Sequence, residues 1–301
     1  MFWNTAKQAI KATGLDYTVV KVPILFKATE NVQANTKGHA FVGTGDDVLI
    51  SDKFATVRTD RQIALGVVGN VYQVVQNEEA FESIDAVAQQ EYLLFSKAWC
   101  MDGGARIVVE GEVGNGSDIM IENDSLVRTI HLINSHDGSK KVSVRFSIYN
   151  KTNKSYLSFN LPNIKTEVEL KHTTFVKDRI EEGNQILKAA FAAYTEVEAV
   201  FAEMVKKNIE RDQVKVLIRK IMDPKDTQST RSENVVQSIL GFLNIKDSVN
   251  LWNIYNAVTE YTDNVKSAKK KQDEELKVHS ALFGSGDNVK KRAFTEIVKV
   301  I

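Results

Sequence analysis

Residues 126–149 read LVRTIHLINSHDGSKKVSVRFSIY. Val142, Val144, Phe146 and Ile148 alternate with Ser143, Arg145, Ser147 and Tyr149. A period of two predicts a strand with one buried and one polar face. Residues 126–133 are a second β-rich run, and the link between the two, 134–140, holds Asp137-Gly138. That turn signal makes the pair an antiparallel hairpin.

The same texture repeats outward. Residues 92–100 and 105–113 flank Met101-Asp102-Gly103-Gly104, another strong turn signal. Residues 156–161 and 166–172 predict two further strands. Upstream, 17–23, 40–42, 48–50 and 64–75 are β-rich, and Pro23 confines its run to a sheet edge or strand end. A short helix is expected over 3–13. A second, inserted helix is expected after Asn77, a candidate N-cap followed by Glu78 and Glu79. In it Ala80, Phe81, Ile84, Val87 and Ala88 keep helical spacing. Beyond Thr173 the pattern changes. Residues 175–210 hold no proline and only Gly183, with Ile180, Leu187, Phe191, Tyr194, Phe201, Met204 and Ile209 on one helical seam. Helical segments follow near 233–243 and 248–282, and after Gly284-Ser285-Gly286-Asp287 a last helix runs to Ile301. Strands with one inserted helix, then helices, is an α+β pattern. The expected organisation is an antiparallel multi-stranded sheet domain over 1–173 and a helical region over 174–301 packing on the sheet.

Composition narrows the function classes. The chain has 301 residues, 43% of them hydrophobic, with 39 Lys+Arg against 39 Asp+Glu. It has enough apolar content for a real core and no apolar run long enough to span a membrane. Cys100 is the single cysteine, which excludes an internal disulfide and a multi-cysteine zinc site and fits a reducing, cytoplasmic location. No apolar segment follows the first seven residues, so no secretory signal is expected. The neutral total hides blocks of opposite sign. Residues 70–126 carry two Lys/Arg against eleven Asp/Glu, 127–172 carry eight against three, and 264–301 carry nine against five. Such asymmetry suits polyanion binding or charge-guided self-association, and equally the solvated faces of an ordinary surface.

Most candidate chemistry meets a simpler structural reading. Gly43-Thr44-Gly45 lacks the third glycine of a dinucleotide loop and runs into two aspartates. His131, His136, Asp137 and His172 are metal-ligand types, but His136 and Asp137 fall in a hairpin turn. Ser135, His136 and Asp137 are adjacent, without the Gly-x-Ser-x-Gly elbow of a nucleophile. Asp137, Glu169 and Lys171 have the minimal shape of a magnesium nuclease, and Glu169 with Lys171 also reads as an exposed charge pair. Trp252, Tyr255 and Tyr261 read as a packed helix face rather than a base-stacking stripe. The basic block is the richest feature. Lys140, Lys141, Arg145, Lys151, Lys154, Lys165, Lys171 and His172 are interleaved with Tyr149 and Tyr156. Cations neutralise phosphates and rings stack unpaired bases, so this composition suits single strands; a lysine-rich sheet edge is the plainer alternative.

Several segments resemble an uncharacterised family widespread in phages and plasmids, the phage/plasmid-like proteins. They are residues 65–72 (LGVVGNVY) continuing into 75–81 (VQNEEAF), 134–139 (NSHDGS), 171–173 (KHT), 252–261 (WNIYNAVTEY), and 283–286 (FGSG) with Lys290. They stand in family order over residues 58–292. Two departures occur: no cysteine follows Arg145, and Asn264 stands where the family often has histidine. Any thiol or metal role there is put in doubt. The resemblance transfers no catalytic residue and implies a role in phage or plasmid DNA metabolism. The strand–strand–helix–multistrand order is also similar to single-strand annealing recombinases of the RecT, Red-beta and Erf kind.

The expected function is therefore a phage-encoded single-stranded DNA-binding and annealing protein, without catalytic residues, metal or cofactor, acting in recombination or replication. Its contacts would be Lys140, Lys141, Arg145, Tyr149, Lys151, Lys154, Lys171 and His172. Its partners would be single-stranded DNA, further copies of itself in a ring or filament, and a phage exonuclease, with no membrane. The alternatives are the metal-dependent nuclease and a non-enzymatic host-interaction protein.

Overall fold

In the computed structural model residues 126–149 lie in a hairpin, β8 (Asp124–Ser135) against β9 (Ser143–Asn150), with Ile130 opposite Phe146 and His131 opposite Arg145. The structure describes residues 2–27, 41–44, 47–88, 92–114, 118–162, 165–170, 176–223, 225, 229–243, 248–266 and 274–301. The other edge of β8 pairs with β6 (Arg106–Val113), and β6 with β5 (Leu93–Met101). β10 (Ser155–Leu157) and β11 (Glu167–Glu169) share the remaining edge of β9, and β7 (Ile119–Ile121) adds to β8. The result is an antiparallel seven-stranded sheet. The β5–β6 link turns through Asp102–Gly104, where Gly103 and Gly104 take φ of 70° and 112°, a conformation that favours glycine.

A second antiparallel sheet precedes it: β1 (Val19–Lys27), β2 (Phe41–Thr44), β3 (Asp47–Arg58) and β4 (Ile63–Gly69), with β3 central. β1 is an edge strand whose register slips between Pro23 and Ile24, as a proline without an N–H requires. This sheet crosses the two hairpin turns of the larger one. Thr56 donates to the His136 carbonyl at 2.7 Å, Tyr72 to that of Ser135 at 3.0 Å, and Tyr17 to that of Gly104 at 2.7 Å. The approach is closest at Gly66, where a Cβ would fall 2.5 Å from the Asp137 Cα. Two of the motifs that carry the family resemblance thus meet each other.

The first helix, α1 (Ala6–Ala12), is capped by Thr5. The inserted helix is one turn, α2 (Glu82–Asp85), so Asn77 is not its N-cap. Asn77 is buried instead, donating to the Leu15 carbonyl and accepting from Asn134 and His136. The helical region comprises α3 (Val176–Lys206), α4 (Arg211–Met222), α5 (Thr230–Leu240), α6 (Leu251–Glu260), α7 (Glu274–Leu282) and α8 (Ser285–Val298). α6 continues into a π-helical turn, Tyr261–Val265. A short ladder, β12 (Asn208–Glu210) with β13 (Ser248–Asn250), interrupts the helices. The fold is α+β.

One continuous core joins the large sheet to α1, α3, α4, α6 and α8. Phe146 packs edge-on to Tyr194 at 6.3 Å, and Trp252, Tyr255, Phe201 and Phe294 form an aromatic cluster. The sequence stripe Trp252, Tyr255 and Tyr261 is therefore packed core. Burying each such side chain contributes roughly 1.5–3 kcal/mol. A smaller cluster of Met101, Val108, Ile133, Tyr156, Val278, Ala281 and Leu282 lies on the opposite face under α7. That cover corrects the reading of β9: Ser143, Arg145 and Ser147 do not face solvent but are buried as well.

Candidate nucleic-acid interface

Strand register places a row of titratable groups across the α7 face of the large sheet. Lys97 stands opposite Glu110, Glu110 opposite His131, His131 opposite Arg145, and Arg145 opposite Glu167. Glu110 is the hub. Its carboxylate accepts from Lys97 at 2.9 Å, from Tyr156 at 2.5 Å and from His131 Nε2 at 3.1 Å. The His131 Nδ1 then accepts from Ser147 at 3.1 Å, and Ser147 meets Thr129 at 2.9 Å. Burial works to raise the Glu110 pKa, but the His131 and Tyr156 hydrogen bonds and the Lys97 charge outweigh it and hold the carboxylate below its ordinary value. Burial pushes His131 down, so it is the neutral ring that donates through Nε2 and accepts at Nδ1. Ser147, His131 and Glu110 repeat the hydroxyl–imidazole–carboxylate order of a hydrolase, yet all three are buried and no substrate reaches them.

Among the described residues, the predicted contacts do not form one groove. Arg145 is 4% exposed, donates to the Leu282 carbonyl and pairs with Asp287. It cannot reach a phosphate, because α8 supplies its counter-charge inside the protein. Lys140 pairs with Glu167 at 3.0 Å, Lys141 with Glu169 at 2.7 Å and Lys151 with Asp118 at 2.6 Å. Lys171 and His172 lie outside the described residues. Tyr149 and Lys154 do come together, at a pocket that the linear reading only half anticipated.

This pocket encloses about 330 Å³. β5 supplies Lys97 and Trp99, β9 supplies Tyr149, the turn into β10 supplies Lys154 and β10 supplies Tyr156. α7 closes it with Lys277, Val278 and Ala281. The Lys97 ammonium lies 5.0 Å from the Tyr149 ring centre, 5.7 Å from Trp99 and 6.0 Å from Tyr156, within cation–π range. Burial works to lower its pKa, and the charge and hydrogen bond of Glu110 raise it instead, so the lysine stays charged. Among the described residues neither Lys154 nor Lys277 ion-pairs with a carboxylate. The site therefore carries a net positive charge beside apolar rings. Lys97, Trp99 and Lys277 were missed by sequence reasoning. Lys97 and Trp99 sit in the acidic block, and Lys277 lies far away in the chain.

A larger cavity of about 710 Å³ lies by the β8–β9 turn, lined by Tyr72, Asn134, Ser135, Ser139, Lys140, Lys141, Glu167 and Glu169 among others. Its two lysines face two glutamates, so it carries no excess charge for a polyanion. Asp137 nearby accepts from Ser135 and from the Ser139 N–H, which fixes the turn. Glu169 is held by Lys141 and Lys171 is outside the described residues. Among the described residues no group of three or more His, Cys, Asp or Glu converges as a metal site. None of their helices is long and apolar enough to cross a membrane.

A family model described as a domain of unknown function (DUF932) matches residues 64–283. No curated protein and no solved structure matches the chain.

Proposed function

The chain belongs to the DUF932 family, and from that premise we propose that it is a single-stranded DNA-binding and annealing protein of phage or plasmid DNA metabolism. The observation that carries this reading is the pocket where Lys97, Lys154 and Lys277 meet Trp99, Tyr149 and Tyr156. The Lys154 and Lys277 ammonium groups would draw a phosphate backbone, and the partly buried Trp99 and Tyr149 rings would stack a base that has no partner. A duplex offers no free base face, so the combination favours single strands. Annealing requires no bond to be made or broken. The strand is held by its backbone, while bases outside the pocket remain free to pair. The resemblance to phage and plasmid proteins supports the same reading. Copies of the chain would line a strand side by side in the host cytoplasm, with a phage exonuclease supplying the substrate.

The test is fluorescence anisotropy with a labelled single-stranded oligonucleotide across a sodium chloride series. Binding should weaken steeply with salt. Replacing both Lys154 and Lys277 by alanine should flatten the log–log slope by roughly 0.7 per lost phosphate contact. Tyr149→Ala should cost roughly 1–3 kcal/mol of binding if one base stacks there. A chain that leaves the strand unbound in low salt overturns the reading, and magnesium-dependent cleavage replaces it with a nuclease.

A further inference from the structure

We propose that this pocket selects the base it holds: it seats one unpaired guanine or thymine, whose ring carbonyl oxygens meet Lys97, ahead of adenine or cytosine. The proposal rests on the nucleic-acid reading and deepens it. Its ground is the donor and acceptor inventory of the pocket. The three ammonium groups and the Trp99 indole N–H only donate. Tyr156 is buried and its proton is committed to Glu110 at 2.5 Å. Among the lining side chains only the Tyr149 hydroxyl is left both to donate and to accept. Such a pocket is matched by base edges that accept. Guanine presents O6 beside N7, and thymine presents O4. Adenine and cytosine place an amino group at the corresponding position, which meets a donor with a donor.

Lys97 is built to read such an edge rather than to sweep solvent. One of its protons is anchored on Glu110 at 2.9 Å, and Glu110 is itself fixed by His131 and Tyr156. The side chain is 42% exposed and lines the pocket, so its ammonium is within reach of a bound base. A volume of about 330 Å³ is at the small end for ligand pockets and suits one nucleotide rather than a run of stacked bases. With the base edge at Lys97, the sugar and phosphate leave past Lys154 and Lys277.

The experiment uses the full chain and short strands of abasic spacers carrying one central guanine, thymine, adenine or cytosine, in competition anisotropy. This design removes differences in base–base stacking along the strand. Guanine and thymine should compete better by roughly fivefold or more, the lower end of what one good base contact confers. Lys97→Gln, whose amide both donates and accepts, should weaken binding and erase the ranking, while Lys97→Arg should keep it. If Lys97→Gln does not fold, the ranking in the wild type and in Lys97→Arg decides alone. Equal competition by all four bases, or a preference for adenine or cytosine, overturns the selectivity but leaves salt-dependent strand binding standing. Absence of binding by every strand overturns both. Free dGMP competing as well as the single-guanine strand overturns the strand reading and makes the pocket a mononucleotide site of the same base preference.

Discussion

His136 has no exposed surface; its Nε2 meets Asn77 Oδ1 at 2.9 Å and its ring stands edge-on to Tyr17. Burial pushes its pKa down to about 4, against the pull of the Asp137 charge. The unfolded chain takes up that proton near 6.5. Stability from this group is therefore complete above pH 6.5 and is lost as pH falls toward 4, by roughly 3 kcal/mol in full. Asp85, raised by burial to about 6, acts in the opposite direction below pH 6, so the comparison belongs between wild type and His136→Gln. Urea midpoints at pH 7 and pH 4.5 should converge for the two proteins as pH drops; parallel losses would refute the assignment. Arg145 makes the same point for a permanent charge. Arg145→Ala removes the buried ion pair of Asp287 and leaves it the partly exposed Lys291, at 3.0 Å, as its remaining ion pair, and should cost about 3–5 kcal/mol. A phosphate-contact arginine would instead lower the salt slope of binding and leave the urea midpoint in place. The alternation in β9 was legible in the sequence. The cover on its polar face was not, because Asp287 lies 142 residues further along the chain.

At the level of elements, α3 is readable because 31 residues carry an unbroken apolar seam. Its one glycine has a purpose that periodicity does not disclose. A Cβ on Gly183 would fall 2.2 Å from the Ser83 carbonyl oxygen, where α3 crosses α2 and where Ser83 bonds Glu182 and Arg179 pairs with Glu82 at 2.9 Å. Gly183→Ala improves helix propensity by about 1 kcal/mol, yet it should lower stability by roughly 1–3 kcal/mol through overpacking. A rise in melting temperature would show that the crossing is looser than these distances. The inserted helix is shorter than its apolar spacing predicts for a related reason. The spacing of residues 80–88 is helical, but Asn77 is held by Leu15, Asn134 and His136 before a helix can start there. Three-residue strands such as β12 and β13 are too short for any period to register. The π-helical turn after α6 also has no sequence signal. Its result is specific: it carries Asp263 inward to the fully buried Lys290 at 2.8 Å and to the Tyr156 N–H at 3.0 Å.

Across the whole molecule, the pocket was legible only in part, since Tyr149 and Lys154 belong to the basic block while Lys97 and Lys277 are 180 residues apart. The Lys97 side chain reaches diagonally across the sheet face to Tyr149, and α7 brings Lys277 to the same pocket. The contacts that do this also tie the helical region to the sheet. Trp252 donates to Asp124 at 2.9 Å, Tyr255 to the Ser158 carbonyl at 2.7 Å and Tyr194 to that of Thr129 at 2.7 Å. Two domains folding independently would each keep a core of their own, whereas here one apolar cluster contains Phe146 of the sheet and Phe201 and Trp252 of the helices. Cutting between them would expose buried aromatics on both sides, separate Arg145 from Asp287, and take Trp252 from Asp124 and the Tyr156 N–H from Asp263. The chain should therefore unfold in urea as one cooperative unit. Indole fluorescence, dominated on the helical side by the buried Trp252, and far-ultraviolet circular dichroism should give one midpoint. Loss of strand binding should fall on the same curve, since the pocket has walls from both regions. An earlier loss of binding than of fluorescence would mean that α7 detaches first, over its small cluster with Met101, Val108 and Ile133, and that the pocket is the weakest part of the fold.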